Sequence, residues 1–149
     1  MSVYHRDIRQ YFGKRSVVRV KAAVLVPNEN GQILLLKRQN KDVWGLPMGN
    51  LKPGEALEDT ASRELWEESG LTADDMRLLD LVSGPEYMKK HPGGDEEYYV
   101  IGVYEATGLH SAIHLSPSAE VSLKFYSLDE MPSMDAITIH LLDKIRNRR

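Results

Sequence analysis

Three glutamates, at positions 64, 67 and 68 of the run Arg63-Glu64-Leu65-Trp66-Glu67-Glu68-Ser69-Gly70-Leu71, have the types and the spacing to do chemistry. On a helix they stand at i, i+3 and i+4, so their carboxylates project within one sector of about 100°. Like charges so placed oppose an isolated helix by roughly 0.2–0.5 kcal/mol per pair, a cost that a bound divalent cation reverses. The chain has no cysteine, which excludes disulfides and thiolate ligands, and hard oxygen donors suit Mg²⁺, with Mn²⁺ as a substitute. A diphosphate carries repelling negative charge that must be neutralised before water attacks phosphorus. A divalent cation does this and lowers the pKa of the attacking water, while a carboxylate removes the remaining proton. Arg63 offers a fixed fork of donors to orient a carboxylate or a phosphate, and Gly49 lets a main-chain carbonyl approach the cation.

These residues need elements to hold them. Gly45, Pro47, Gly49, Pro53 and Gly54 predict a loop over 44–54, and Ala56 to Ser69 reads as one helix stopped by Gly70. Upstream, Val17 to Val26 is β-rich, and its early alternation gives way to a run apolar enough to be buried on both faces. Asn28-Glu29-Asn30-Gly31 then predicts a hairpin turn, with Ile33 to Leu36 returning as the partner strand. Met76–Ser83, Tyr98–Ala106 and Val121–Ser127 are the further strands, separated by His91-Pro92-Gly93-Gly94 and a turn-rich stretch from Gly108 to Ser118. A short amphipathic helix is expected over Val3–Phe12. A closing helix is expected from about Met134 to Arg146, with Ile137, Leu141 and Ile145 at spacing four. Helices interspersed among more numerous strands predict an α/β layered architecture with a mixed sheet.

At 149 residues the chain suits a single domain spanning 1–149, and no repeat or Pro/Gly/Ser linker divides it. No apolar run approaches the roughly 18 residues needed to span a bilayer, and the N-terminus lacks the apolar centre of a signal peptide, so a cytoplasmic location is expected. A net charge of −3 gives no general attraction to nucleic-acid polymers. The basic end, Lys144-Ile145-Arg146-Asn147-Arg148-Arg149, reads as a solvated cap that favours the dipole of the last helix.

The pattern Gly49, five residues, Glu55, seven residues, then Arg63-Glu64-Leu65-x-Glu67-Glu68-x-Gly70-Leu71 resembles the signature of the Nudix hydrolases at every defined position. At average residue usage such a match arises by chance in well under about one window per million. The resemblance implies an α/β/α sandwich with a mixed sheet. It also implies metal-dependent hydrolysis of a phosphoanhydride in a nucleoside diphosphate linked to another group, with release of two phosphate-bearing products. It makes Glu67 and Glu68 metal ligands, Glu64 a metal ligand or the base, and Arg63 an orienting residue. Glu55 takes a supporting role, or simply faces the positive end of the helix dipole. Met48 stands where many members carry a second glycine; its carbonyl remains a candidate ligand. A further acidic ligand is expected from a later segment, with Glu120 first and Glu96 or Glu97 next.

Substrate residues are less sharply marked. Trp44 suits either base stacking or a wall of the core. Tyr87 lies where some relatives that cleave dinucleoside polyphosphates place a tyrosine, and Pro85 close to where ADP-ribose-cleaving relatives place a proline. ADP-ribose is the first expectation; dinucleoside polyphosphates, nucleotide sugars and damaged nucleoside triphosphates are the alternatives. Arg19, the preferred phosphate contact, and Arg38, Lys89 and Lys90 all have solvated alternatives. His91, His110, His114 and His140 show no metal-pair spacing. A small nucleotide-type substrate is the expected partner, acting on a monomer or homodimer. The rival readings are a non-catalytic Nudix-like nucleotide sensor, which predicts a broken acidic set, and an oxygen-ligated Ca²⁺ module, which lacks an EF-hand-like loop.

Overall fold

A strand that is apolar on both faces must lie between two layers, and the run beginning at Ala22 does. In the computed structural model, which describes residues 15–111 and 121–147, strand β1 (Ser16–Leu25) has Ala22 and Val24 in one core and Ala23 and Leu25 in another. The first core packs against helix α1 (Leu57–Ser69) through Ala61 and Leu65, the second against helix α2 (Ala136–Asn147) through Leu141 and Leu142. Each fully buried leucine of this kind contributes roughly 1.5–3 kcal/mol relative to exposure. Ile137 and Ile145 flank Leu141 on the same core, as their spacing predicts.

The remaining strands are β2 (Ile33–Arg38), β3 (Met48–Asn50), β4 (Leu71–Val82), β5 (Met88–Lys90), β6 (Glu96–Ser111) and β7 (Val121–Tyr126). One sheet has the order β3-β1-β6-β4, with β5 also on β6; β1 and β6 run parallel and the other pairs antiparallel. The mixed sheet between two helices is the α/β/α arrangement that was expected. A second sheet pairs β2 with β7.

Here the hairpin expectation needs correction. The Asn28–Gly31 turn forms, with the Gly31 amide donating to the Asn28 carbonyl at 3.1 Å and the Asn28 side chain accepting from the Asn30 and Gln32 amides. The strands on either side nevertheless separate into different sheets. Both edges of β1 are already taken by β3 and β6, and Pro27 brings no amide, so contact shrinks to the Pro27–Ile33 bridge and one Leu34 to Val26 hydrogen bond. Strands β4 and β6 are also longer than expected, because their mutual pairing carries both to Leu71 and Ser111, through Gly108. The expected helix over Val3–Phe12, His114 and Glu120 lie outside the described residues. Among those described, no helix is long and apolar enough to cross a membrane.

Candidate active site

Helix α1 begins with acidic Glu58 and Asp59 in its first turn, which suits the dipole, and ends at Gly70. Gly70 adopts φ 74° and its amide donates to the Trp66 carbonyl at 2.9 Å, a left-handed cap that favours glycine. Leu65, fully buried, fixes the rotation of the helix and so turns Glu64 and Glu68 toward β3. Register does the rest, since Ala22 of β1 pairs with Gly49 and Ala23 with Met48.

At Gly49 the approach is so close that a Cβ would lie 2.0 Å from Glu64 Cδ. Only glycine leaves room for that carboxylate. The Met48 amide donates to Glu68 Oε1 at 3.1 Å, and Arg38 from the end of β2 pairs with the other oxygen of Glu68. Glu68 is 8% exposed, whereas Glu67 is 44% exposed and lies at the rim. Burial pushes the Glu68 carboxyl up to about 7; Arg38 and the Met48 amide oppose the shift, and the neighbouring Glu64 adds to it by charge and hydrogen bond. Two carboxylates at hydrogen-bonding range share this pocket.

Arg63 ties the group together. Its Nε and Nη2 donate to Glu55 at 2.8 and 3.0 Å, Nη1 to Glu64 at 2.8 Å and Glu67 at 3.4 Å, and Nη2 to the Asn50 carbonyl at 2.9 Å. Glu55 is thus an anchor for Arg63. It also accepts from the Thr60 hydroxyl at 2.7 Å and the Lys52 amide at 3.2 Å. The Arg63 and Thr60 hydrogen bonds bring its carboxyl down to about 2, so it stays ionised at any ordinary pH. Among the described residues no three acidic or imidazole groups form a ready cage, and Arg38 and Arg63 pair with oxygens of Glu68 and Glu64. The donor set nevertheless fits a hard divalent ion: carboxylate oxygens only, two of them adjacent, against a glycine cradle.

Beside Met48 opens a cleft of about 380 Å³, within the range of ligand sites. Lys21, Arg38, Lys41, Lys89, Tyr99 and Asp135 line it over an apolar floor that includes Leu46 and Ile137. Lys21 Nζ sits 4.5 Å from the Tyr99 ring centroid. Burial lowers its pKa, against the charges of Glu97, Glu64 and Glu68.

The expected substrate residues divide. Arg19 is half exposed and pairs with Glu97, which also meets His91 at 2.6 Å and the Tyr99 hydroxyl at 3.3 Å. Hydrogen bonds from His91 and Arg19 hold the Glu97 carboxyl below its usual range. Tyr87 is a correction: at 3% exposure, edge-on to His140, it belongs to the α2-side core and offers no face to a ligand. Trp44 is another. Its ring packs edge-on against Tyr126 at 5.2 Å, its backbone is pinned to Ser133 and Asp135, and it does not line the cleft. Lys21, Lys41 and Asp135 escaped the sequence reading, although a lysine immediately before a run buried on both faces was a usable signal.

A family model described as the NUDIX domain matches residues 17–145. The chain belongs to the Nudix family. An RNA pyrophosphohydrolase from Pseudomonas putida is 39% identical over 66 residues, 44% of this chain and 42% of that protein. A Bacillus subtilis protein named "Putative 8-oxo-dGTP diphosphatase" is 37% identical over 81 residues, 54% of this chain and 50% of that one. The chain therefore spans about half or less of the curated relatives it matches. A MutT NUDIX hydrolase from Burkholderia pseudomallei superposes with a TM-score of 0.70 at 26% identity, covering 86% of this chain and 98% of that structure.

Proposed function

We propose that this Nudix chain is a Mg²⁺-dependent pyrophosphohydrolase acting on a nucleotide-type substrate. The observation that carries the reading is the meeting of Glu64 and Glu68 at the Gly49–Met48 backbone, beside a cationic cleft. Glu64, Glu67 and Glu68, with the Met48 carbonyl, would hold the ion, which supplies charge neutralisation and an activated water. Arg63 keeps the set in place through Glu55 and the Asn50 carbonyl. Glu64 is proposed as one of these ligands or, alternatively, as the base that takes a proton from the attacking water. Glu120 remains the proposed further acid.

For the substrate, the buried Tyr87 removes the tyrosine marker for dinucleoside polyphosphates. ADP-ribose and a triphosphate-bearing nucleotide or RNA end remain, and the names of the two relatives favour the latter. A phosphate-release assay in heavy-oxygen water with Mg²⁺, across ADP-ribose, nucleoside triphosphates and triphosphate-ended RNA, tests the reading and reports which phosphorus is attacked. Absence of metal-dependent turnover on every substrate would instead support the nucleotide-sensor alternative.

A further inference from the structure

We propose that the N-terminal segment of this chain, residues 3–12, docks as an amphipathic helix on the α1 face of the mixed sheet, in the groove beside Val18. On that face β1 directs Val18, Val20, Ala22 and Val24, paired in register with Tyr98, Val100, Gly102 and Tyr104 of β6. Helix α1 covers only the later part. Its first residue, Leu57, already stands over Gly102, where a Cβ would lie 2.7 Å from Leu57 Cδ2. Val18, Val20, Tyr98 and Val100 come before that point, and none belongs to either core. Val18, at 71% exposure, is the most exposed of the large apolar side chains described, and Leu81 of β4, paired with Gly102, is exposed at the far edge of the same face. The turn after β3 forms a wall, giving a groove of about 380 Å³ lined by Val18, Val20, Leu51 and Pro53 together with Asn50 and Glu55.

The segment that fits this groove immediately precedes it in the chain. Arg15, the first described residue, is held at this end of the sheet: its amide donates to Asp95 Oδ1 at 3.0 Å and its carbonyl accepts from the Glu96 amide at 2.8 Å. Within residues 3–12, Tyr4, Ile8, Tyr11 and Phe12 stand at i, i+4, i+7 and i+8, inside a helical sector of about 100°, with Arg6, Arg9 and Gln10 opposite. Ten helical residues span about 15 Å, or about three strand spacings. That is the width from β3 across β1 and β6 to β4. Gly13, Lys14 and Arg15 supply a break and a reach of about 10 Å, the separation of packed layers. An apolar helix face thus meets an apolar sheet face of matching length. The groove wall also carries Asn50 and Glu55, both acceptors for Arg63, which sets the docked helix against the support of the acidic network.

The test uses the full chain and needs no substrate. Because the sequence has no cysteine, introduced pairs report proximity without background. Val18→Cys is combined in turn with Tyr4→Cys, Ile8→Cys and Tyr11→Cys, with Arg9→Cys as the opposite-face control; mild oxidation is followed by thiol loss and by the mass of the unreduced chain. At least one of the three pairs is expected to close within a single chain about tenfold or more faster than the control. The second arm is amide exchange across residues 3–12. Val18 lies outside both cores, so Val18→Glu should leave them intact while exchange in that segment quickens by about tenfold or more. Closure no faster than the control in all three pairs, or equal exchange in the native chain and Val18→Glu, would overturn the proposal. Disulfides formed only between two chains would also overturn it, and would assign the groove to the same segment of a second copy.

Discussion

Two charged regions meet at Met48, and they are built in opposite ways. Around Arg63 every donor of the guanidinium has an acceptor, and Glu55, Glu64 and Glu67 share one internal counter-ion. Across the cleft, Lys41 and Lys89 have no such answer among the described residues. A saturated network holds geometry, which chemistry at phosphorus requires to within fractions of an ångström. An unanswered set of flexible cations holds little geometry and attracts anions. The two regions are neighbours that differ in how fully their charges are paired.

The comparison breaks first at the acidic helix. Glu67→Gln or Glu68→Gln should lower kcat at saturating Mg²⁺ by about 10²–10⁴, the range of a lost acid–base or metal-bound carboxylate, while circular dichroism shows an intact fold. Unchanged rates would remove these residues from the site. Gly49→Ala comes next. Its Cβ would fall 2.0 Å from Glu64 Cδ, so Glu64 must move, and a displacement of about 1 Å predicts a loss near 10² in kcat. Glu55→Gln should cost less, about tenfold, because it loosens Arg63 without removing a ligand; a kcat drop equal to that of Glu68→Gln would make Glu55 a direct participant.

A stability measurement sharpens the same contrast without turnover. Glu68 titrates near 7 in the fold and near its ordinary value of 4.5 unfolded, so the folded state holds the extra proton between those limits. Its contribution to stability is present below about 4.5 and is lost as the pH rises toward 7. In EDTA, thermal unfolding of the native chain should therefore decline relative to Glu68→Gln over that interval, and Mg²⁺ should restore it. A parallel pH dependence in the two proteins would contradict the buried state of Glu68. The smallest effect is expected at Trp44. Trp44→Phe should leave KM within about twofold and lower the unfolding temperature slightly, because the ring packs on Tyr126 outside the cleft.

Much of the acidic helix was legible in order, because helical periodicity alone places 64, 67 and 68 on one face and Gly70 alone ends the helix. The close contact of Gly49 with Glu64 was legible only as a glycine in the right place; its reason is the strand register that sets β3 against β1. Local pattern failed where edges compete. Asn28 to Gly31 encodes a turn, yet whether the flanking strands pair depends on which other strands have claimed β1, and those lie up to 80 positions away in the chain. Tyr87 failed similarly, and Trp44 stayed open between two roles, since an aromatic ring fits a core and a pocket mouth equally well until its neighbours are known.

The chain order by itself determined the acidic face, its arginine and the glycines that let them act, since all fall within one helix and the loop before it. Tertiary structure decided the rest: that Arg38 answers Glu68, that Lys21, Lys41 and Lys89 surround one cleft, and that the expected aromatic contacts are packing. The physical reason is range. Helix periodicity acts over three or four residues, whereas the cleft is assembled from β1, β2, the loop after it, β5 and the start of α2, which only the sheet order brings together.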